Sequence, residues 1–233
     1  MDKLIEKGIK FDAIITDPPY GTIKNSWDEI IPFKEMWERI NQIIKDNCPI
    51  LLFGNEPFTS KLICSNLKGF KFRWDWDKKI PSGVGYAKYR PMQQTEDIIV
   101  FSKNGDKINY YPQMIKRDQP IKSGGNKIKE NTCSTLAGID STKEYKKTYE
   151  YKNPTTLISF DKVRRGSLHP TQKPIPLLEY FVKTYTKEND LILDFTCGSG
   201  TTLVAARNLK RKAIGIELEE KYCDVSKQRL ENT

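Results

Sequence analysis

The chain has 233 residues, of which 37% are apolar and 30% charged, and its formal net charge is +9. That is core enough for one large domain, or for one domain with an insertion. No run approaches the roughly 18 apolar residues of a membrane span, and Met1-Asp2-Lys3-Leu4 lacks the apolar centre of a signal peptide, so a cytoplasmic protein with no membrane partner is expected. The five cysteines (48, 64, 133, 197 and 223) are odd in number and form no Cys-x-x-Cys pair. They argue against a disulfide framework or a metal site, and Cys48 and Cys64, in apolar contexts, read as buried thiols.

Phe11 to Thr16 reads as a strand, followed by a helix from Pro32-Phe33 whose apolar positions 33, 36, 37, 40, 43 and 44 share one face. Ile50 to Phe53 is a short buried strand, and Pro57 to Leu67 a second helix after the turn at Gly54-Asn55. Phe70 to Trp76 alternates strictly, as a half-exposed strand does, and its expected partner is the strand Asp97 to Ser102. Pro174 to Thr186 is a helix feeding a strand at 191–195. Thr201 to Leu209 is a helix, Lys212 to Glu217 a strand, and Glu219 to Leu230 a closing helix. Strands alternating with helices predict a mostly parallel sheet covered on both faces, with ligands at the carboxyl ends of its strands.

Residues 104–165 break that rhythm. They are rich in Lys, Asn, Ser, Thr, Tyr and Gly, with a flexible turn expected at Ser123-Gly124-Gly125-Asn126. Residues 103–165 hold fourteen Lys and Arg against seven Asp and Glu. A basic excess is commonly only a solvated face, and such a composition suits disorder; beside a base-handling site it reads as a phosphate-contacting surface.

Two stretches carry chemistry. Asp17-Pro18-Pro19-Tyr20 releases an acid at the end of a buried strand, and two prolines then keep the following carbonyls out of any ladder. An acceptor pair beside an aromatic ring suits a planar amino-bearing group; alone, the four residues read first as a Pro-Pro turn ending a strand. Asp194-Phe195-Thr196-Cys197-Gly198-Ser199-Gly200-Thr201 also ends a strand and opens a helix, and its glycines allow a tight turn and close approach to a ligand. Position 203 is Leu, so this is not the G-x-G-x-x-G fingerprint, and it lacks the Gly-Lys-Ser/Thr of a P-loop. Glu217 ends the next strand, where an acid grips a ribose diol in Rossmann folds.

Together these stretches resemble the amino-specific DNA methyltransferases that use S-adenosylmethionine. Asp-Pro-Pro-Tyr is similar to their catalytic motif, and Asp-Phe-x-x-Gly-Ser-Gly-Thr to their cofactor loop. The catalytic element comes first, as in the permuted, beta-type class, and His169-Pro170-Thr171-Gln172-Lys173-Pro174 stands where that class carries a third match. The resemblance implies a permuted Rossmann-like α/β fold with the catalytic half at 1–103, an inserted target-recognition region at 104–165 and the cofactor half at 166–233. It also implies double-stranded DNA as partner and a homodimer, and it anticipates the loss of one edge strand at the amino-terminal end. Relatives carry there a cofactor-contacting Gly-Asp pair not matched in this chain, so weakened cofactor binding is expected.

By the same resemblance, Asp17 and the Pro18 carbonyl accept the target amine, with Pro19 fixing the turn, and Tyr20 stacks on a flipped base. Asp194, Phe195, Gly198, Ser199, Gly200, Thr201 and Thr202 form the cofactor loop. Glu217 takes the ribose, Lys173 the methionine carboxylate, and His169 is counted among the cofactor-binding residues, its plainer reading being a packed turn residue before Pro170. Asp before Pro-Pro-Tyr leans toward adenine N6. Cytosine N4, an RNA or protein amide substrate, and a non-catalytic DNA-binding remnant stay open.

Overall fold

The computed structural model describes residues 1–22, 28–122 and 148–232. These fall into two units, Met1–Tyr111 with Thr155–Thr233, and Pro112–Pro154. In the larger unit the helices are α1 (Asp2–Glu6), α2 (Phe33–Ile43), α3 (Phe58–Ser65), α4 (Ile175–Tyr185), α5 (Thr201–Asn208) and α6 (Glu220–Glu231). Its strands are β1 (Ala13–Thr16), β2 (Pro49–Gly54), β3 (Phe70–Ser82), β4 (Gln93–Ser102), β7 (Leu157–Ser159), β8 (Leu191–Asp194) and β9 (Lys212–Gly215). The smaller unit contains an antiparallel pair, β5 (Ile115–Lys122) with β6 (Thr148–Lys152). The turn expected at 123–126 lies outside the described residues.

The seven strands form one sheet in the order β7-β3-β4-β2-β1-β8-β9. β1 pairs in parallel with β2 and β8, β8 with β9, and β3 with β7; β4 runs antiparallel to both β2 and β3. Six strands therefore point one way and β4 opposes them, which is the mostly parallel α/β sheet that the alternation predicted. Every residue of β1 and β2 is buried, so both are sealed on each face. One face packs Leu177, Phe181, Val182 and Tyr185 of α4 and Ala205 and Ala206 of α5. The other packs Met36, Trp37, Ile40 and Ile43 of α2 and Phe58 and Leu62 of α3. Three layers result, and the α2 residues are those its 3.6-residue spacing marked.

The alternating strand pairs with β4 as expected and runs on to Ser82. Trp74 and Trp76 are both core residues, and each indole finds an acceptor: Trp74 Nε1 donates to Tyr185 Oη and Trp76 Nε1 to the Phe160 carbonyl, each at 2.8 Å. Three expectations shift. Phe11 makes only an isolated bridge to Ile44, so β1 begins at Ala13. β7, inside the stretch read as an insertion, adds to the main sheet beside β3. Cys64 is exposed, because α3 turns Phe58, Thr59 and Leu62 inward and position 64 falls on the opposite face; Cys48 is buried as expected.

Candidate active site

β1 and β8 are neighbours, with Ala13 opposite Ile192 and Ile14 opposite Leu193. Asp17 and Phe195, the first residues past each strand, are therefore adjacent. A ladder of hydroxyls ties the two tips: Thr16 Oγ1 donates to Asp194 Oδ1 at 2.8 Å, lies 2.6 Å from Thr196 Oγ1, and Thr196 Oγ1 donates to the Asp17 carbonyl at 3.0 Å. Stretches about 180 residues apart in sequence share one cleft of about 640 Å³. Its walls include Asp17, Pro18, Pro19 and Tyr20 on one side and Asp194 to Ser199, Thr201, Thr202 and Glu217 on the other. That volume suits a ligand of cofactor size.

The carboxylate of Asp17 is held from both sides. Tyr20 Oη donates to Oδ1 and Lys173 Nζ to Oδ2, each at 2.5 Å. Lys173 Nζ is also 2.9 Å from Glu96 Oε1, and Tyr20 Oη is 3.2 Å from the same oxygen. Lys78 Nζ stands 3.8 Å from Glu96 Oε2. Burial raises the Asp17 carboxyl above its ordinary range, with Glu96 adding to the rise and Lys173 and Tyr20 opposing it. Burial pulls the Lys173 ammonium down, but the two carboxylates outweigh it and the net direction is up. The Tyr20 phenol is raised by burial and by Asp17 and Glu96, so it donates and does not ionise.

This places Lys173 differently from the expectation. It was assigned to a cofactor carboxylate, yet its ammonium is paired with Asp17, because the His-Pro-Thr-Gln-Lys-Pro turn delivers it to the tip of β1. Tyr20 likewise spends its hydroxyl on Asp17, and its ring packs 5.1 Å from that of Phe58. Asp28 was missed by sequence reading. Its carboxylate accepts the backbone N–H groups of Tyr20 (2.8 Å), Gly21 (3.0 Å) and Thr22 (2.6 Å), fixing the loop after the prolines. Gly21 must be glycine there: its φ is +68°, and a Cβ would meet Ile30 at 2.9 Å.

In the glycine loop, Glu217 acts first as a staple. Its carboxylate accepts from Gly198 N (2.7 Å), Leu218 N (2.8 Å) and Glu219 N (3.0 Å), which uses three of about four lone-pair positions. One acceptor position remains. Gly200 does not line the cleft. Its φ of +75° starts α5, and an added Cβ would lie 2.9 Å from Ser226 Cβ, so the missing side chain admits α6, not a ligand. Arg229 of α6, also unforeseen, donates to the Ser199 carbonyl (2.6 Å), Ser199 Oγ (3.1 Å) and Thr201 Oγ1 (3.1 Å). Phe195 is buried in the core beside α2 and α3.

His169 lines the cleft and is packed in its turn: its ring sits 4.2 Å from that of Tyr222 and 3.6 Å from a Cβ built on Gly198. Thr171 N donates to its Nδ1 at 3.3 Å, which puts the proton of the neutral ring on Nε2. Burial lowers its pKa, and Glu217 opposes the fall.

Asp194 supplies a pH prediction. Burial pushes its carboxyl up to about 6 from the ordinary 3.8. The folded chain thus binds this proton more tightly than the unfolded one, and stability falls as pH rises from about 3.8 to about 6, by roughly 3 kcal/mol. Asp194→Asn keeps an acceptor for Thr16 and Thr196 without the ionisation. It is expected to gain about 1–3 kcal/mol at pH 7.5 and nothing near pH 4, as read from urea unfolding at both pH values.

Among the described residues no helix is long and apolar enough to cross a membrane. The comparisons with known proteins agree with the cleft. The "Type II methyltransferase M2.DpnII" of Streptococcus pneumoniae is 30% identical over 94% of this chain and 82% of its own. The "DNA adenine methyltransferase YhdJ" of Escherichia coli is 29% identical over 94% and 76%. The crystal structure of an M1.HpyAVI–SAM complex superposes with a TM-score of 0.64 and 25% identity, covering 98% of this chain and 93% of that one. A match to the DNA methylase family runs from residue 11, just before β1, to residue 228 in the helix that braces the glycine loop, and the chain belongs to that family.

Proposed function

We propose that this protein transfers the methyl group of S-adenosylmethionine to the exocyclic N6 amine of adenine in double-stranded DNA. The observation that carries this reading is the half-buried Asp17 carboxylate at a strand tip, facing the same cleft as the glycine loop of β8. A relative named as a DNA adenine methyltransferase, aligned over 94% of the chain, supports adenine as the base.

When bound, S-adenosylmethionine supplies an electrophilic methyl carbon on a sulfonium. Gly198, Ser199, Thr201, Thr202 and Glu217 are the residues that would hold it, on the loop that Arg229 and Glu217 keep in shape. An exocyclic amine is a poor nucleophile, since its lone pair is delocalised into the ring. Asp17 accepts one of its N–H bonds and the Pro18 carbonyl the other, which draws the nitrogen toward tetrahedral geometry and stabilises the positive charge that develops on it. Methyl transfer to that nitrogen would leave the cofactor as a thioether, and the extra proton would pass from the methylated amine to solvent. The base must be extruded from the duplex to reach this depth.

The linker between β3 and β4 supports a nucleic-acid partner. β3 ends and β4 begins at the edge of the sheet where β1 ends, since β3 runs with β1 and β4 against it. The linker exposes Val84, Tyr86 and Tyr89 by 73%, 61% and 86%, with Lys88 and Arg90 among them and no acid between Gly83 and Met92. Exposed rings interleaved with cations suit phosphates and unstacked bases. Replacing both Lys88 and Arg90 with Ala is expected to reduce the slope of log affinity against log salt by about 2, near 0.9 per lost phosphate contact. The basic residues 104–165 are the proposed target-recognition region, and a homodimer the proposed acting form.

The test is transfer of labelled methyl from S-adenosylmethionine to duplex DNA, followed by nucleoside analysis. N6-methyladenine is the expected product. N4-methylcytosine would replace the base assignment, and no transfer to DNA would overturn the reading.

A further inference from the structure

We propose that Glu96 is a positioning residue that takes Lys173 and the Tyr20 hydroxyl from Asp17 when a base amine arrives, freeing the Asp17 carboxylate to accept the amine N–H. The proposal rests on the function proposed above. Both Asp17 oxygens are engaged, Oδ1 by Tyr20 and Oδ2 by Lys173, each at 2.5 Å. Each oxygen has one lone-pair direction taken and one left, so an arriving amine N–H competes with Tyr20 and Lys173 for the carboxylate's charge. Each of the two donors already has a second acceptor within reach, and it is the same atom: Glu96 Oε1 lies 2.9 Å from Lys173 Nζ and 3.2 Å from Tyr20 Oη. The exchange turns the Tyr20 hydroxyl and shifts the Lys173 ammonium toward a Glu96 contact that it already makes.

Without Glu96, the ammonium would lose its partner on release from Asp17. Lys173 is only 9% exposed, and a buried cation without a carboxylate is costly. Lys78, 3.8 Å from the other Glu96 oxygen, tempers the negative charge of the site. Glu96 sits at the fourth position of β4, on the strand that opposes all the others, so its carboxylate enters the cluster from the side away from β8.

The competing reading is that Glu96 only neutralises a buried lysine, and the pH profile separates the two. The charged and titratable groups facing this cluster are Asp17, Tyr20, Lys78, Lys173, His169 beside Lys173, Lys162 beside Lys78 and, across the strand tips, Asp194. In Glu96→Gln one negative charge beside Asp17 is gone, so the acid limb of methyl transfer should move down by roughly half a unit. At the same time kcat should fall about ten-fold with the KM for S-adenosylmethionine unchanged. Glu96→Asp keeps the charge but withdraws it, so its limb should stay in place while kcat falls.

The measurement is methyl transfer to duplex DNA across pH by the full chain, with the folded fraction of each variant recorded by circular dichroism. Wild-type kcat in both variants would overturn the proposal, as would a kcat that falls only with the folded fraction at an unmoved limb. Should Glu96→Gln not fold, Glu96→Asp decides on kcat per folded molecule. Absence of transfer by the wild-type chain overturns the proposed function itself, whereas an active wild type with indifferent variants overturns only the role of Glu96.

Discussion

Asp17→Ala is expected to lower methyl transfer by about a hundred- to a thousand-fold, the scale of losing one preorganised partner of transition-state charge. Asp17 stabilises charge that appears on the amine only during attack, so the loss should fall on kcat and leave cofactor binding near its wild-type value. The fold should survive, because Lys173 keeps Glu96 as partner at 2.9 Å and β1 is buried at every position upstream. Asp17→Asn is the sharper control: it keeps the shape but exchanges one acceptor for a donor aimed at Lys173 or the incoming amine. Steady-state kinetics on duplex DNA, with cofactor binding measured by calorimetry, checks both variants. Activity within a few-fold of wild type in Asp17→Ala would remove Asp17 from the reaction.

Lys173→Met should be the most damaging single change to stability near the cleft. It leaves Asp17 and Glu96, with side chains 21% and 13% exposed, facing each other without the ammonium between them. Breaking a buried pair by removing one member costs about 3–5 kcal/mol. The sign with pH follows from the carboxyl. Burial already raises Asp17, and without Lys173 it rises further, so the folded variant binds its proton more tightly than the unfolded chain does. Stability of the variant should therefore fall as pH rises through that raised pKa, and the deficit against wild type should be larger at pH 8 than at pH 5. Urea unfolding at the two pH values reads this directly; an equal deficit at both would place the loss in packing instead.

The two strand tips were legible in the sequence because prolines and glycines mark them locally. An apolar run that stops at Asp-Pro-Pro, or at a Gly-x-Gly, has few other conformations to adopt. The helices α2 and α4 and the pairing of β3 with β4 follow from period and alternation in the same way. Glu96 left no such mark. It is one acid at the start of a strand, and its meaning depends on partners 76 positions back, at Tyr20, and on Lys173. Arg229 reaches its targets from about 30 residues away, with only helical periodicity around it. Gly200 was visible as a residue but not in its purpose, since a glycine spared for a ligand and one spared for a neighbouring helix look alike in sequence.

The parallel seam between β1 and β8 has a consequence for synthesis on the ribosome. The strand that seals one edge of β1 emerges about 180 residues after it. At translation speeds of about 5–20 residues per second, that edge stays open for roughly ten to forty seconds. During this interval the nascent polypeptide presents an apolar template to any extended segment nearby, and premature termination before residue 191 would make the exposure permanent.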